Sequence, residues 1–137
     1  MSKIIKKISC IDIGSNAIKY RQYRLLKNDS IELDTFKRIP LRLGADAFSL
    51  GKMSDKTYED FKWTLKKLKK HARKKNSELL GIFATSAMRT FSNQSQILKK
   101  IKKDLNLKID ILSGREEASL LRYFEYKAVS YTHLRAH

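Results

Sequence analysis

The first forty residues contain apolar segments bounded by turn-forming residues, a pattern that is typical of β-strands. Three segments carry this pattern, Ile4–Gly14, Ala17–Leu26 and Ile31–Ile39, and the turn-forming run Lys27-Asn28-Asp29-Ser30 separates the last two. Such short links predict an antiparallel meander. The next segment, Leu41–Met53, contains two glycines and is predicted to be a loop.

The remainder of the chain alternates helical and strand patterns. Apolar residues at spacings of three and four predict a helix that begins after an N-cap at Ser54 and ends near Lys75. A second amphipathic helix is predicted to begin near Asn93. Two short apolar runs predict buried strands: Leu79–Thr85 lies between these helices, and Leu107–Leu112 follows the second one.

A third helix is predicted to begin at the capping box formed by Ser113 and Glu116. Its apolar side consists of Ala118, Leu120, Leu121 and Phe124. The resulting order of elements is βββαβαβα. Helices that alternate with single strands indicate parallel neighbours joined by crossovers, so we expect an α/β fold with a mixed sheet covered by helices.

The amino-acid composition indicates the class of protein. The 137 residues include 42% hydrophobic residues and one cysteine, which favours a single globular domain without a disulfide or a cysteine-built zinc site. No apolar run approaches the ~20 residues that span a bilayer, and the first residues do not resemble a signal peptide. We therefore expect a cytoplasmic protein that does not contact membranes.

The net charge of +16 is the strongest compositional signal. It is compatible with a polyanionic partner, but much of the excess lies in Lys66–Lys75 and Lys99–Lys103, on the polar sides of the predicted helices. A solvated helix face is the preferred interpretation of those lysines, because the polar side of an amphipathic helix is usually charged. Charge alone therefore leaves the function open.

The first candidate site is the segment Asp12–Asn16, directly after the first predicted strand. Asp12 could bind a hydrated Mg²⁺, since hard cations prefer oxygen ligands. Gly14 would let the backbone approach an anion closely, and Ser15 and Asn16 could bind phosphate oxygens. The same residues also suit an ordinary hairpin turn, so the pattern alone does not decide.

Two further candidates follow later strands. Arg89 lies just after the Leu79–Thr85 strand, at the carboxyl end where open α/β sheets usually bind ligands, and it could bind phosphate. Glu116 and Glu117 lie at a helix start, where Glu116 suits capping and Glu117 could orient a water as a general base. Arg38 and Arg42 form a similar but weaker pair near the predicted loop.

Other chemically notable side chains are predicted to be structural. The histidines His71, His133 and His137 have no partner at metal-ligand spacing and are expected at the surface. Cys10 is expected to be a small buried hydrophobe within the first strand. Trp63 lies off the apolar stripe of its helix and is expected to cover a neighbouring element.

Four motifs, taken together and in order, resemble the exopolyphosphatase / guanosine pentaphosphate phosphohydrolase (Ppx/GppA) family. They are IDIGSN, RIPLRLG, ATSAMR and DILSGREEASL, and the resemblance covers about residues 4–126. It implies an RNase H-like / actin-like ATPase (sugar kinase-type) fold of two duplicated lobes, with the active site between them. It also implies Mg²⁺-dependent removal of terminal phosphate from inorganic polyphosphate or guanosine pentaphosphate.

The resemblance assigns roles to individual residues. Asp12–Asn16 is similar to the family's first phosphate loop, with Asp12 toward the metal and Gly14, Ser15 and Asn16 toward phosphate. Arg89 matches an arginine that faces the phosphate chain, and Glu117 matches the general base toward the attacking water.

The resemblance also sets the expected extent of the lobe. Residues 1–128 are expected to form the first, truncated lobe, because the family's second glycine-rich phosphate loop does not follow. The tail, residues 129–137, does not resemble the family and is interpreted as adapter- or vector-derived sequence. A homodimer of the full-length parent stays open.

Two alternatives remain at this point. One is a nucleotide-binding kinase or ATPase lobe of the same fold. The other is a non-enzymatic basic module that binds nucleic acid, which is disfavoured because the lysine runs lack interleaved aromatic residues.

Overall fold

A computed structural model describes residues 3–117 of the chain. It contains five strands and five helices in the order β1 (Ile4–Ile13), β2 (Ala17–Leu26), β3 (Ile31–Pro40), α1 (Leu43–Leu50), α2 (Asp55–Lys74), β4 (Ser77–Ala84), α3 (Ser86–Thr90), α4 (Gln94–Leu105), β5 (Asp110–Ile111) and α5 (Gly114–Glu117). The predicted continuation of the third helix over residues 118–128, the tail 129–137 and both tail histidines lie outside the described residues.

The strands form one mixed sheet in the order β3-β2-β1-β4-β5. β1, β2 and β3 pair antiparallel as the predicted meander, whereas β4 pairs parallel with both β1 and β5. The parallel pairs are reached through helical crossovers, as the alternation of patterns predicts. The predicted α/β class with a mixed sheet is confirmed.

The larger core lies between one face of the sheet and helices α1–α4. The helical stripes supply Phe61, Leu65 and Ile101, and the sheet supplies residues such as Ile11 and Ile13. All five are almost entirely buried. Burial at this scale is worth about 1.5–3 kcal/mol for each large apolar side chain, so this interface holds the helices on the sheet.

A smaller cluster occupies the opposite face of the sheet. It consists of Ile8, Cys10, Tyr23, Leu25, Phe83 and Leu112. The prediction that Cys10 is a buried hydrophobe is confirmed, and burial raises the pKa of its thiol to about 12. Its thiol is therefore protonated at neutral pH and inert as a nucleophile.

Polar side chains fix the starts of the two long helices. The Ser54 hydroxyl accepts a hydrogen bond from the Thr57 backbone N–H, which confirms the predicted N-cap of α2. Asn93, at the start of α4, bonds both backbone groups of Met53: its Oδ1 accepts from the N–H at 3.0 Å, and its Nδ2 donates to the carbonyl at 2.9 Å. The two helix starts are thereby joined.

Two predictions about elements are wrong or incomplete. Leu41–Met53 is not a loop, because it contains helix α1, which ends at Gly51 with a left-handed φ of 67°. Of the predicted strand Leu107–Leu112, only Asp110 and Ile111 join the sheet. The apolar Leu107, Ile109 and Leu112 are nevertheless buried, so their burial needs no sheet pairing.

Two side chains differ from their predicted surroundings. His71 is half-buried, packs edge-on against the Tyr20 ring at 5.2 Å, and has a buried Nε2 without a hydrogen-bond partner among the described residues. It is therefore not a surface histidine. Trp63 is 58% exposed and does not cover a neighbouring element.

No helix within residues 3–117 is long and apolar enough to cross a bilayer.

Candidate functional site

Three of the sequence motifs meet at the carboxyl ends of the parallel strands. The final residues of β1, β4 and β5 are adjacent in the sheet, with Ile13 opposite Ala84 and Ala84 opposite Ile111. Hydrogen bonds continue past the strand ends, from Thr85 N–H to the Ile13 carbonyl at 3.2 Å and from Leu112 N–H to the Ala84 carbonyl at 2.8 Å. This edge is where open α/β sheets place ligand sites.

The first loop, Gly14–Asn16, is a tight turn between β1 and β2. The Gly14 N–H donates to the Ala17 carbonyl at 3.0 Å, and a Cβ at Gly14 would lie 3.2 Å from that oxygen. The backbone N–H groups of Ser15 and Asn16 have no hydrogen-bond acceptor within residues 3–117. Two successive amides of this kind are donors that a phosphate could accept from.

Helix α1 supports this loop from the other side. The Gly44 N–H donates to the Ser15 carbonyl at 2.7 Å, and the Leu41 N–H donates to the Asn16 carbonyl at 3.1 Å. A Cβ at Gly44 would lie 3.2 Å from the Ser15 Cβ, so only glycine allows this approach without displacement. This contact cannot be predicted from the sequence, because Gly44 locally indicates a loop.

Ser15 also contacts the segment that follows β4. Its Oγ lies 2.8 Å from the Oγ of Ser86, at the start of α3. The Thr85 hydroxyl, just before it, donates to the Ile13 carbonyl at 3.3 Å. The IDIGSN and ATSAMR motifs are therefore in direct contact, and Ser86 is a site residue that spacing alone did not single out.

Arg89 connects the second motif to the third. Its Nη1 donates to the Leu112 carbonyl at 2.7 Å, which holds the guanidinium beside the end of β5. The residue itself is exposed. Arg38 and Arg42 are exposed as well, at the end of β3 and just before α1.

Asp12 is the carboxylate predicted to bind Mg²⁺. Its Oδ2 lies 3.8 Å from Arg21 Nη1, and its side chain is 16% exposed. No cluster of three or more metal-ligating side chains occurs among the described residues. A single ionised carboxylate fits a Mg²⁺ that keeps most of its waters and takes further oxygens from a phosphate ligand, and it does not fit an all-protein cage.

The capping box after β5 is formed as predicted. The Ser113 N–H donates to Glu116 Oε1, and the Glu116 N–H donates to the Ser113 hydroxyl, both at 3.1 Å. The bond from the Ser113 N–H lowers the pKa of the Glu116 carboxyl. The Glu116 carboxylate therefore caps the start of α5. The side chain of Glu117 lies outside what the structure describes, and its role stays a prediction.

The fold matches solved structures of phosphatases. An exopolyphosphatase from Cytophaga hutchinsonii is similar over 84% of this chain and 36% of its own length, with 24% identity and a TM-score of 0.76. A Ppx/GppA family member from Aquifex aeolicus is similar over 82% of this chain and 36% of its own, with 21% identity and the same TM-score of 0.76. The chain thus spans about a third of the length of these structures.

A more distant likeness reaches nucleoside triphosphate hydrolases from Neospora caninum, with 13% identity and a TM-score of 0.56 over 82% of this chain and 29% of that one. No curated protein sequence matches the chain significantly. A sequence profile of the Ppx/GppA phosphatase family matches residues 31–133, which is more than half of the chain. Together with the fold, this match means that the chain belongs to the Ppx/GppA phosphatase family.

Proposed function

We propose that this chain is the phosphate-binding lobe of a Mg²⁺-dependent hydrolase that removes terminal phosphate from inorganic polyphosphate or guanosine pentaphosphate. The observation that carries the proposal is the contact between Ser15 Oγ and Ser86 Oγ at 2.8 Å. It joins the first loop to the segment that bears Arg89, at one edge of the parallel strands. Membership of a phosphatase family supports the same chemistry.

Phosphate would be bound by donors of two kinds. The Ser15 and Asn16 amides are neutral donors on a short turn, and Gly14 permits a close approach of that turn to the ligand. Arg89 is a charged donor whose guanidinium is held by the Leu112 carbonyl. Donors that are positioned in advance stabilise the charge that develops on phosphate oxygens during transfer.

Glu117 would act as the general base that takes a proton from the attacking water. The neighbouring Glu116 cannot share this role without breaking its bond to the Ser113 N–H. The two adjacent carboxylates are thereby divided between a structural and a chemical function. Mg²⁺, held through Asp12 and phosphate oxygens, would supply neutralisation of the phosphate charge.

The test of these roles is a pair of conservative variants in a full-length protein that carries this lobe. Glu117→Gln is expected to lower the rate of phosphate release by roughly 10²–10⁴-fold, the usual loss for a general base, with little change in substrate binding. The matched control, Glu116→Gln, is expected to keep near-normal activity. Equal losses in the two variants would contradict the division between base and cap.

The substrate class needs a separate comparison. The likeness to nucleoside triphosphate hydrolases favours nucleotide hydrolysis as the second candidate. Phosphate release from polyphosphate, guanosine pentaphosphate and ATP by the same full-length protein distinguishes the candidates. Preference for ATP over both other substrates would favour the second candidate over the first.

The 137-residue chain itself is expected to bind polyphosphate without hydrolysing it. Its candidate phosphate donors come from one side only, whereas transfer needs a phosphate that is held from both sides with water restricted. Phosphate release by the purified chain at the rate of the full-length protein would show that the site needs no second lobe.

A further inference from the structure

The C-terminal half of α2 carries an unusual surface, which we call the basic helix surface. It consists of the exposed residues Lys66, Lys67, Lys70, Arg73, Lys74 and Lys75. No acidic residue occurs between Asp60 and Glu78 in the sequence. These cations lie along about 15 Å of helix, given a rise of 1.5 Å per residue.

The cations of the basic helix surface are not neutralised by neighbouring side chains. Within residues 3–117, none of them lies at ion-pair distance from a carboxylate, whereas Lys62, one turn earlier, pairs with both Glu59 and Asp104. Favourable interaction with the helix dipole explains basic residues in the last turn only. Lys66 and Lys67 lie two turns before the end of α2, so another explanation is needed for them.

Trp63 marks the edge of this surface. Its ring is 58% exposed, and the Lys67 ammonium lies 4.2 Å from the ring centroid. One face of the indole is therefore occupied by a cation, which disfavours the base stacking on which single-stranded nucleic acids depend. A phosphate chain without bases needs only the cations, so the geometry favours inorganic polyphosphate over nucleic acid.

The basic helix surface is remote from the candidate site. Helix α2 begins beside the carboxyl ends of the strands and runs 20 residues, or about 30 Å, before the chain enters β4 at its amino end. The acidic Asp55, Glu59 and Asp60 occupy the intervening first turns. A ligand bound at Ser15 and a ligand bound at Lys70 therefore make separate contacts.

We propose that the basic helix surface is a second, non-catalytic binding site for long inorganic polyphosphate chains. The choice of polyphosphate rests on the function proposed above. It deepens that function, because a nucleotide such as guanosine pentaphosphate is too short to contact both this surface and the candidate site. Long polyphosphate is then the substrate class that the lobe favours.

The chain carries its own probe for this proposal, because Trp63 is its single tryptophan. Titration of the 137-residue chain with long-chain polyphosphate is expected to change Trp63 fluorescence, and tripolyphosphate is expected to bind at least tenfold more weakly. The apparent affinity is expected to fall steeply with salt, as counterion release requires. Absence of a fluorescence change in a titration that shows binding by calorimetry would overturn the proposal.

Two charge-matched variants distinguish binding at the basic helix surface from attraction by the net charge of the chain. The first changes four residues of the basic helix surface to glutamine, namely Lys66, Lys70, Arg73 and Lys74. The second changes four exposed lysines elsewhere to glutamine, namely Lys3, Lys27, Lys52 and Lys108. Each variant loses four positive charges, and circular dichroism checks that both are folded.

The first variant is expected to bind long polyphosphate at least tenfold more weakly than the parent, with a salt slope lower by roughly 3. The second variant is expected to stay close to the parent. Equal weakening of both variants would overturn the proposal in favour of attraction by net charge. Single-stranded DNA of equal charge that binds as tightly as polyphosphate would overturn the choice of ligand.

These titrations require no hydrolysis, so they fail independently of the proposed function. If the full-length protein is active but polyphosphate leaves the Trp63 fluorescence of the 137-residue chain unchanged, only the proposal for the basic helix surface is contradicted. An inactive full-length protein with the expected titrations would contradict the hydrolase assignment and leave polyphosphate binding at this surface supported.

Discussion

Replacement of Gly44 by alanine tests how tightly helix α1 supports the candidate phosphate loop. The added Cβ would lie 3.2 Å from the Ser15 Cβ and 3.3 Å from the Ser15 carbonyl oxygen. Carbon atoms pack best at about 3.5–4.0 Å, so one side of the contact must move by a few tenths of an ångström. The Gly44 N–H bond to Ser15, at 2.7 Å, resists that movement.

Two opposing effects determine the free energy of unfolding. Alanine is favoured over glycine within a helix by about 1 kcal/mol, and by less near a helix start. Overpacking of a fixed contact costs about 1–3 kcal/mol, and weakening of the Gly44–Ser15 hydrogen bond adds up to about 1 kcal/mol. We expect Gly44→Ala to lower the free energy of unfolding by about 1–2 kcal/mol.

Urea denaturation followed by circular dichroism measures this difference, provided that the m-value is unchanged. Gly114→Ala is the matched control, since a Cβ at Gly114 meets nothing within 4 Å. It is expected to change stability by no more than about 0.5 kcal/mol. The same comparison in a Ser86→Ala background reports whether the new methyl group moves Ser15 away from Ser86.

In that double-mutant cycle, Ser86→Ala is expected to cost less once Gly44→Ala is present, with a coupling energy of about 0.5 kcal/mol or more. The reasoning is refuted if Gly44→Ala stabilises the protein by the helix-propensity amount. Strict additivity with Ser86→Ala would show that the loop does not transmit the displacement.

Three further predictions concern the interior. Gly81→Ala is expected to destabilise the protein by about 3 kcal/mol in urea denaturation, because its Cβ would lie 2.6 Å from the fully buried Phe83 ring; a loss below about 1 kcal/mol would contradict this. Burial, aided by the Lys37 ammonium, lowers the pKa of His71. The unfolded chain therefore binds this proton more tightly than the folded chain does, so stability is expected to decrease as pH falls from 7.5 to 5.5. His71→Gln is expected to show a smaller decrease, and an unchanged pH dependence would exclude His71 as its source. The Cys10 thiol, with its pKa raised to about 12, is expected to react with a thiol reagent at pH 8 only after urea unfolding, whereas rapid labelling of the folded protein would contradict its burial.

The long, strongly periodic elements could be predicted from the sequence, because their apolar spacing determines which side they bury. Helix α2 is the clearest case, with both its N-cap at Ser54 and its buried stripe as predicted. Helix α1 could not be recognised, because Gly44 and Gly51 locally indicate a loop. Gly51 instead ends the helix in a left-handed conformation, and Gly44 makes a close tertiary contact that no local pattern records.

The candidate site shows the same division between local and distant information. Asp12, Ser15 and Arg89 lie near the ends of strands in the sequence. Their position at one edge of the sheet could be predicted, since topology alone determines where parallel strands end. The Ser15–Ser86 contact spans 71 residues of sequence, and the ion pair of Asp12 with Arg21 depends on the register of β1 against β2. The predicted surface position of His71 is wrong for a related reason, since its contact with Tyr20 comes from another element.

The tie between Asn93 and Met53 has a consequence for how a ligand would be received. Helix α3 is preceded by β4, which is held in the sheet. It is followed by Asn93, which is hydrogen-bonded to Met53, and the Ser92 N–H also donates to the Gly51 carbonyl at 2.8 Å. The segment that carries Ser86 is therefore anchored at both ends before any ligand arrives. The conformational entropy of this segment is already lost on folding. A ligand that binds at this edge therefore does not have to order the segment, and its affinity is not reduced by that cost.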